Sequence, residues 1–253
     1  MSPEQLRRYL NYFQDLGVKN IYRREALNPP QPMPTPMPAV LPMPVLPMPG
    51  VSPITVLPPL EPMGDTLAKI SEDIGDCRRC RLCEGRSKIV FGSGSEKARL
   101  VFVGEGPGAD EDAQGLPFVG RAGQLLTQMI ENTAAKEGIP IHRADVYICN
   151  VVKCRPPENR APQPDEMEIC GQFLSRQLMA LRPRAICALG STAAKALLAT
   201  KDGVTRMRGR WHKWRDIPVM VTYHPSYLLR AYNQSAKREA WEDLKTVLHF
   251  VYD

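Results

Sequence analysis

The stretch Ala98–Leu126, "ARLVFVGEGPGADEDAQGLPFVGRAGQLL", decides the fold class. It begins with a short apolar run, turns through glycines and continues into a helical pattern. This alternation recurs further along the chain and predicts an α/β fold of three layers, α/β/α, around a central four-stranded parallel sheet. The predicted strands are Leu100–Val103, Val146–Val152, Ala185–Leu189 and Val219–Thr222, and the predicted helices are Thr66–Asp76, Ala122–Lys136, Pro164–Leu181, Ser191–Leu198 and Ala236–Val251.

The loop after the first predicted strand carries glycines at every second position, as phosphate-binding turns often do. Pro107 breaks the dinucleotide-binding pattern, and the sequence predicts a long acidic loop rather than a helix directly after the glycines. The loop is also acidic, which would repel a pyrophosphate; its acids are Glu105, Asp110, Glu111 and Asp112. Loops at the carboxyl ends of parallel strands build ligand sites. We therefore expect a pocket wall here rather than a nucleotide-cofactor site.

The chain divides into three segments by composition. Residues 1–28 show apolar positions at helical spacing and predict an amphipathic helix, which either packs on its own domain or docks on a partner. Residues 29–63 hold 14 of the 25 prolines and predict an extended Pro/Met-rich linker. Residues 64–253 form the predicted catalytic domain. A protein partner for residues 1–62 is one interpretation of this arrangement.

Charge and cysteine content restrict the class of protein. The formal net charge is +6, which favours an anionic partner such as nucleic acid. No apolar run is long enough to cross a bilayer, and the N-terminus has no secretion signal pattern, so we expect a cytoplasmic protein. Seven cysteines are an odd number for a disulfide framework and favour metal binding or buried thiols. Cys149 and Cys187 lie in apolar strands and are predicted core residues.

The remaining cysteines predict one four-thiolate site. Cys77, Cys80 and Cys83 stand in a C-x-x-C-x-x-C run, and Cys154 and Cys170 follow downstream. Both zinc and a [4Fe–4S] cluster accept four cysteines. The wide spacing of the second pair favours the cluster, with zinc as the alternative. We predict the ligands Cys77, Cys80, Cys154 and Cys170, although Cys83 could compete.

Two further stretches predict contacts with DNA phosphates. Residues 201–216 carry six basic residues against two acids, with two tryptophans between them, and Arg208 and Arg210 are the predicted contacts. A solvated surface hairpin is the alternative. Ser191 begins a predicted helix after an apolar strand, where free backbone N–H groups can bind phosphate.

Three motifs together resemble the family 4 uracil-DNA glycosylases, the iron–sulfur-containing branch of that superfamily. They are "GEGPGADEDAQGLPFVGRAGQLL", "YICNVVKCRPPENRAP" and "HPSYLLR", in this order and with the cysteines described above. The resemblance runs from about Cys77 onward and leaves out residues 1–63. It implies an enzyme that turns uracil out of DNA and hydrolyses its N-glycosidic bond.

The resemblance also implies roles for individual residues. Asn150 would read the uracil edge, His224 would donate a hydrogen bond to the pyrimidine O2, and Glu105 would orient or activate water. The remaining roles are base stacking by Phe118, close backbone approach at Gly106, and exclusion of a thymine methyl by Glu111 together with Asp112. Leu228 would fill the gap left by the flipped base, and Arg230 would contact phosphate.

The sequence thus predicts a monomeric, monofunctional uracil-DNA glycosylase of base excision repair, acting on single- or double-stranded DNA and leaving an abasic site. The alternative is a non-catalytic iron–sulfur or zinc protein that binds nucleic acid. Activity on a uracil-containing oligonucleotide distinguishes the two.

Overall fold

The computed structural model describes residues 64–230 and 233–253, so the predictions for residues 1–28 and 29–63 lie outside the described residues. Its helices, in chain order, are α1 Leu67–Ile74, α2 Ala109–Gln114, α3 Arg121–Lys136, α4 Pro164–Leu181, α5 Gly190–Leu198, α6 Val204–Met207, α7 Pro225–Leu228 and α8 Gln234–Tyr252. Its strands are β1 Ser93–Gly94, β2 Leu100–Gly104, β3 Tyr147–Asn150, β4 Ala185–Leu189, β5 Trp211–Trp214 and β6 Ile217–Thr222.

The strands form one six-stranded mixed sheet in the order β1-β3-β2-β4-β6-β5. Strands β3, β2, β4 and β6 run parallel. Strands β1 and β5 pair antiparallel at the two edges. The predicted α/β class is confirmed, and the four predicted strands run parallel at the centre of the sheet. The sheet has six strands rather than four, because the sequence interpretation missed both edge strands; it also missed α2.

Helices cover both faces of the sheet because the central strands are apolar on both sides. Every residue of β2, β3 and β4 is buried. One core cluster joins the sheet to α1, α4, α5 and α6, and a second joins it to α3 and α8. Cys149 and Cys187 are fully buried in these cores, as predicted.

The parallel strands end together at one edge of the sheet. Gly104 at the end of β2 pairs with Asn150 at the end of β3, and Leu189 of β4 pairs with Thr222 of β6. The segments that follow these four strands therefore begin side by side, which is where open α/β sheets bind their ligands.

Among residues 64–230 and 233–253, no helix combines the length and the apolar character that crossing a membrane requires.

Candidate active site

A cavity of about 360 Å³ opens at this edge of the sheet. Its wall includes seven residues that the sequence singled out: Glu105, Gly106, Glu111, Phe118, Asn150, Ser191 and His224. Pro156, Asn159 and Arg160 close one side, from the segment between Cys154 and Cys170. The structure therefore brings residues from five separate parts of the chain into one pocket.

Phe118 forms a flat apolar wall of the pocket. Its backbone is left-handed, with φ 53°, and the residue is 7% exposed. The ring lies 5.6 Å from the His224 ring, centroid to centroid, at an interplanar angle of 36°. A Cβ at Gly104 would lie 2.5 Å from Phe118 Cζ, so glycine at the end of β2 leaves room for the ring.

Glu111 fixes the main chain beside Phe118. Its Oε1 accepts hydrogen bonds from the backbone N–H groups of Val119 and Gly120, both at 2.9 Å, and its Oε2 accepts one from Gly108 N–H at 3.1 Å. Asp112 does not line the cavity; its buried carboxylate accepts hydrogen bonds from the backbone of Ser87 and Lys88. The two adjacent acids thus hold different loops, and only Glu111 is at the pocket.

Asn150 presents a buried acceptor to the pocket. The residue is 1% exposed, and its Oδ1 has no hydrogen-bond partner within the described part of the chain. A buried carbonyl oxygen without a donor costs free energy, which a bound donor would recover. The backbone of Asn150 is fixed because the ammonium group of the fully buried Lys153 donates to its carbonyl oxygen at 2.8 Å and to Gln177 Oε1 at 2.6 Å.

His224 carries a neutral imidazole with a defined tautomer. The Ser226 backbone N–H donates to Nδ1 at 3.2 Å, and the Ser226 hydroxyl lies 2.7 Å from the same atom. Since Nδ1 is an acceptor, the single proton of the neutral ring is on Nε2. Loss of solvation lowers the pKa of His224 to about 4, against a smaller opposing effect of the Glu111 carboxylate. The ring is therefore a neutral donor at physiological pH.

Glu105 and Gly106 follow β2 directly. The Thr192 hydroxyl of α5 donates a hydrogen bond to Glu105 Oε2. A Cβ at position 106 would lie 2.8 Å from Val152 Cγ2, so glycine allows the two loops to approach each other.

Two of the residues predicted to contact DNA have partners within the protein. Leu228 is 1% exposed and packs with Ala236 and Ala240. Arg208 binds the buried carboxylate of Asp243 through two nitrogens, at 2.6 and 3.0 Å, and is therefore part of the core boundary.

The other predicted contacts remain on the surface. Ser191 is exposed at the start of α5, and Arg230 is exposed with its guanidinium 5.9 Å from the Tyr227 ring centroid. Arg210 is exposed just before β5, whose first residues lie beside the carboxyl end of β6. Tyr227 and Leu229, which flank Leu228, are 39% and 37% exposed. In this turn the exposed apolar side chains are therefore Tyr227 and Leu229, and not Leu228, which the sequence indicated.

The cysteines predicted as ligands lie close together. The thiols of Cys77, Cys80 and Cys154 each raise the pKa of a neighbouring cysteine in the set, and burial raises the pKa of Cys170 to about 12. Cys154 accepts an N–H from Arg86 at 3.4 Å, and Cys170 accepts the Lys153 backbone N–H at 3.2 Å. N–H donors aimed at sulfur are the usual surroundings of metal-bound thiolates.

These four sulfurs fit a metal–sulfur centre by their chemistry, since thiolates are the ligands that iron–sulfur clusters and zinc share. Cys83 affects the pKa of Cys80 and is not a cause of the shifts at Cys154 or Cys170. Within residues 64–230 and 233–253, no group of three or more His, Cys, Asp or Glu side chains has the arrangement of a single metal-ion site.

Sequence reasoning did not identify Thr192 and gave no separate role to Lys153. Thr192 reaches Glu105 across 87 positions of the chain, so no local pattern reveals the contact. For Lys153 the sequence does offer an indication of a role. A lysine directly after the run "YICNVV" has to be either buried with hydrogen-bond partners or turned outward to solvent.

The comparison with protein families agrees with this geometry. The chain matches the family model described as the Uracil DNA glycosylase superfamily over residues 91–245, which include every pocket residue named above. The chain therefore belongs to the uracil-DNA glycosylase superfamily.

Individual relatives define the branch. The chain is 44% identical over 184 residues to a Type-4 uracil-DNA glycosylase of Thermotoga maritima, a match that covers 72% of this chain and 93% of that protein. It is 41% identical to the Type-4 enzyme of Sulfurisphaera tokodaii, covering 72% and 84%, and 42% identical to that of Archaeoglobus fulgidus, covering 72% and 92%. Within the superfamily the chain is a member of the type-4 uracil-DNA glycosylases.

Proposed function

We propose that this protein removes uracil from DNA by hydrolysing its N-glycosidic bond, which leaves an abasic site and begins base excision repair. The observation that carries the proposal is the unpartnered, buried Oδ1 of Asn150, a residue that lines the same cavity as Phe118 and His224. A pocket with a flat wall and one buried acceptor suits a planar base that carries an N–H donor on its edge.

The base enters after it is turned out of the DNA stack. Phe118 stacks on one face of the ring, and Asn150 accepts the hydrogen bond of uracil N3–H through Oδ1. Gly106 lets the backbone close on the base. Glu111 holds the main chain of the Phe118 loop, so the wall is fixed before the base arrives.

Bond cleavage separates charge. When the bond between C1′ of the sugar and N1 of uracil breaks, its electron pair goes to the base, and the sugar becomes cationic. The neutral His224 donates its Nε2 proton in a hydrogen bond to the uracil O2, which stabilises the developing anion. A neutral donor keeps its proton as the charge grows, so uracil leaves as an anion and takes a proton from water.

Glu105 acts on the sugar side of the same pocket. Its carboxylate orients a water molecule towards C1′ and accepts a proton from that water as the new C1′–O bond forms. The negative charge of Glu105 also stabilises the cationic sugar. The products are uracil and an abasic site, and no electrons are transferred.

We further propose that Cys77, Cys80, Cys154 and Cys170 hold a [4Fe–4S] cluster, with zinc as the alternative. When bound, the cluster supplies a rigid cross-link and no catalytic chemistry. The chain's own residues support this role, because the segment between Cys154 and Cys170 contributes Pro156, Asn159 and Arg160 to the pocket wall. Arg160 is held there by two hydrogen bonds to the fully buried Glu166, at 2.6 and 2.8 Å.

The experiment uses an oligonucleotide with one uracil, incubated with the purified protein and cleaved with alkali at any abasic site. We expect strand breakage at uracil and none at thymine or cytosine in matched oligonucleotides. Asn150→Ala should lower the rate by about two orders of magnitude, since it removes the group that reads the base. It should leave thermal stability nearly unchanged, because Oδ1 has no hydrogen bond to lose.

Lack of breakage at uracil by the wild-type protein, on single and double strands alike, would refute the enzymatic proposal and favour the non-catalytic binder.

A further inference from the structure

We propose that Thr192 is the positioning residue that orients the Glu105 carboxylate towards the attacking water. The inference rests on the proposed function. It starts from one hydrogen bond that joins α5 to the loop after β2, in which Thr192 Oγ1 donates to Glu105 Oε2. Thr192 is 9% exposed, so its hydroxyl has little access to competing water.

The main chain of Glu105 is already held by the segment that follows β3. Val152 N–H donates to the Glu105 carbonyl oxygen at 3.2 Å, and Val151 N–H donates to the Gly104 carbonyl oxygen at 2.9 Å. These bonds extend the pairing of β2 with β3 beyond the ends of the strands. The carboxylate, however, still has free rotation about its side-chain bonds unless something holds it. Thr192 supplies that restraint from α5, which follows β4, the neighbour of β2 on the side away from β3.

Because the Thr192 hydroxyl has one proton, it can donate to only one of the two Glu105 carboxylate oxygens. Oε2 accepts the Thr192 hydrogen bond, whereas Oε1 has no hydrogen-bond partner among the residues that the structure describes. Glu105 lines the cavity. One oxygen is thus held by the protein and the other can accept a proton from water.

The topology explains why α5 can do this. Strand β4 lies between β2 and β6 in the sheet, so the first turn of α5 sits between the loops that carry Glu105 and His224. Gly190 lies in the same turn at φ 90°, and a Cβ there would be 3.0 Å from His224 Cβ. The first turn of α5 therefore contacts both side chains to which we assign chemistry.

The test compares Thr192→Val, which keeps the shape and removes the hydroxyl, with Thr192→Ser, which keeps the hydroxyl. Single-turnover excision of uracil is measured together with binding of the uracil oligonucleotide. We expect Thr192→Val to be about tenfold slower, as for loss of a hydrogen bond to an ionised group. Binding should be unchanged, and Thr192→Ser should restore most of the rate.

A matched control is Thr133→Val on α3. Thr133 is 1% exposed, and its hydroxyl has no partner among residues 64–230 and 233–253. This change removes a buried threonine hydroxyl away from the pocket and should leave the rate unaltered.

A double-mutant cycle with Glu105→Gln isolates the coupling. If Thr192 acts through Glu105, adding Thr192→Val to Glu105→Gln causes no further tenfold loss. A full tenfold loss in the Glu105→Gln background would show that Thr192 acts otherwise and would overturn the inference, while wild-type excision remained intact. Absence of excision by the wild-type protein would instead overturn the proposed function, and the role of Thr192 with it.

Discussion

Gly123 lies against the main chain of Phe118 so closely that a Cβ at position 123 would overlap the Phe118 carbonyl group. Gly123 is on the first turn of α3, and Phe118 is the stacking wall of the pocket. The left-handed backbone of Phe118 and the missing side chain of Gly123 are therefore two parts of one arrangement. The glycine is required by packing rather than by its own backbone angles.

Gly123→Ala should displace Phe118 and weaken the pocket. Because the Cβ meets main-chain atoms, which cannot rotate away, we expect a loss of about 1–3 kcal/mol in the free energy of unfolding. Uracil excision should fall by up to about a hundredfold, since misplacement of a positioning group is costly. Denaturant titration and single-turnover assays measure the two effects. Gly171→Ala on α4 is the control: a Cβ there meets nothing within 4 Å, so both values should be retained or slightly improved.

His224 and His249 should titrate in opposite directions from the usual histidine value. The pKa of His224 is lowered to about 4 by burial, whereas the hydrogen bonds that the His249 ring donates to Glu137 and then to Asp253 raise the pKa of His249 above its usual value. Proton NMR should show His224 neutral from pH 8 down to about pH 5 and His249 charged at pH 6. A His224 that titrates near pH 6.5 would contradict the neutral-donor mechanism.

The same shift predicts how stability depends on pH. Since folding lowers the pKa of His224, the unfolded chain binds the proton more readily between about pH 4 and 6.5. The stability associated with this residue is fully present above pH 6.5 and is lost as the pH falls towards 4. His224→Gln should therefore lose less stability than the wild type over this interval, as measured by thermal unfolding at each pH.

The cysteine assignment predicts different results for two serine variants. Cys154→Ser should lose the brown colour and most of the bound iron, which is about four atoms per chain for one [4Fe–4S] cluster. Cys83→Ser should retain both, because Cys83 affects only Cys80 within the set. Iron and sulfide analysis with visible absorbance gives the answer. A colourless wild-type protein that contains zinc would refute the cluster, and full iron in Cys154→Ser would refute the ligand set.

Two neighbouring arginines should differ in effect. Arg208→Ala leaves the buried Asp243 carboxylate without its cation and should destabilise the fold by about 3 kcal/mol. Arg210→Ala removes an exposed cation and should change stability by less than about 0.5 kcal/mol. It should instead weaken DNA binding and reduce the dependence of log Kd on log salt by about one. Equal DNA affinity of Arg210→Ala and the wild type across salt concentrations would exclude the contact.

The parts of the fold that could be predicted from sequence are those that produce a local pattern of apolar and polar residues. Buried parallel strands are continuous apolar runs, so β2 and β4 were placed almost to the residue. The edge strands were missed because β5, "WHKW", has two adjacent polar residues and no buried position, and β1 has only two residues. Their pairing depends on neighbours distant in sequence.

The pocket residues were predicted through motif resemblance, and the structure brings them to one cavity. Sequence patterns do not reveal the surroundings of a residue whose partners are distant in the chain. Arg208 stands in a basic run that is typical of a DNA-binding surface, but its partner Asp243 is on α8. Leu228 has the right distance from His224 along the chain, yet the turn of α7 points it towards Ala236 and Ala240.

The order of the strands has a consequence for inheritance. The pocket residues follow four parallel strands that are joined by crossover connections. The residues of the wall are therefore spread along the chain from Glu105 to Ser226. No shorter contiguous piece of the chain holds the complete site. Exchange of a fragment within this interval would separate residues that line the same pocket. Residues 105–226 therefore have to be inherited together for the pocket to stay complete.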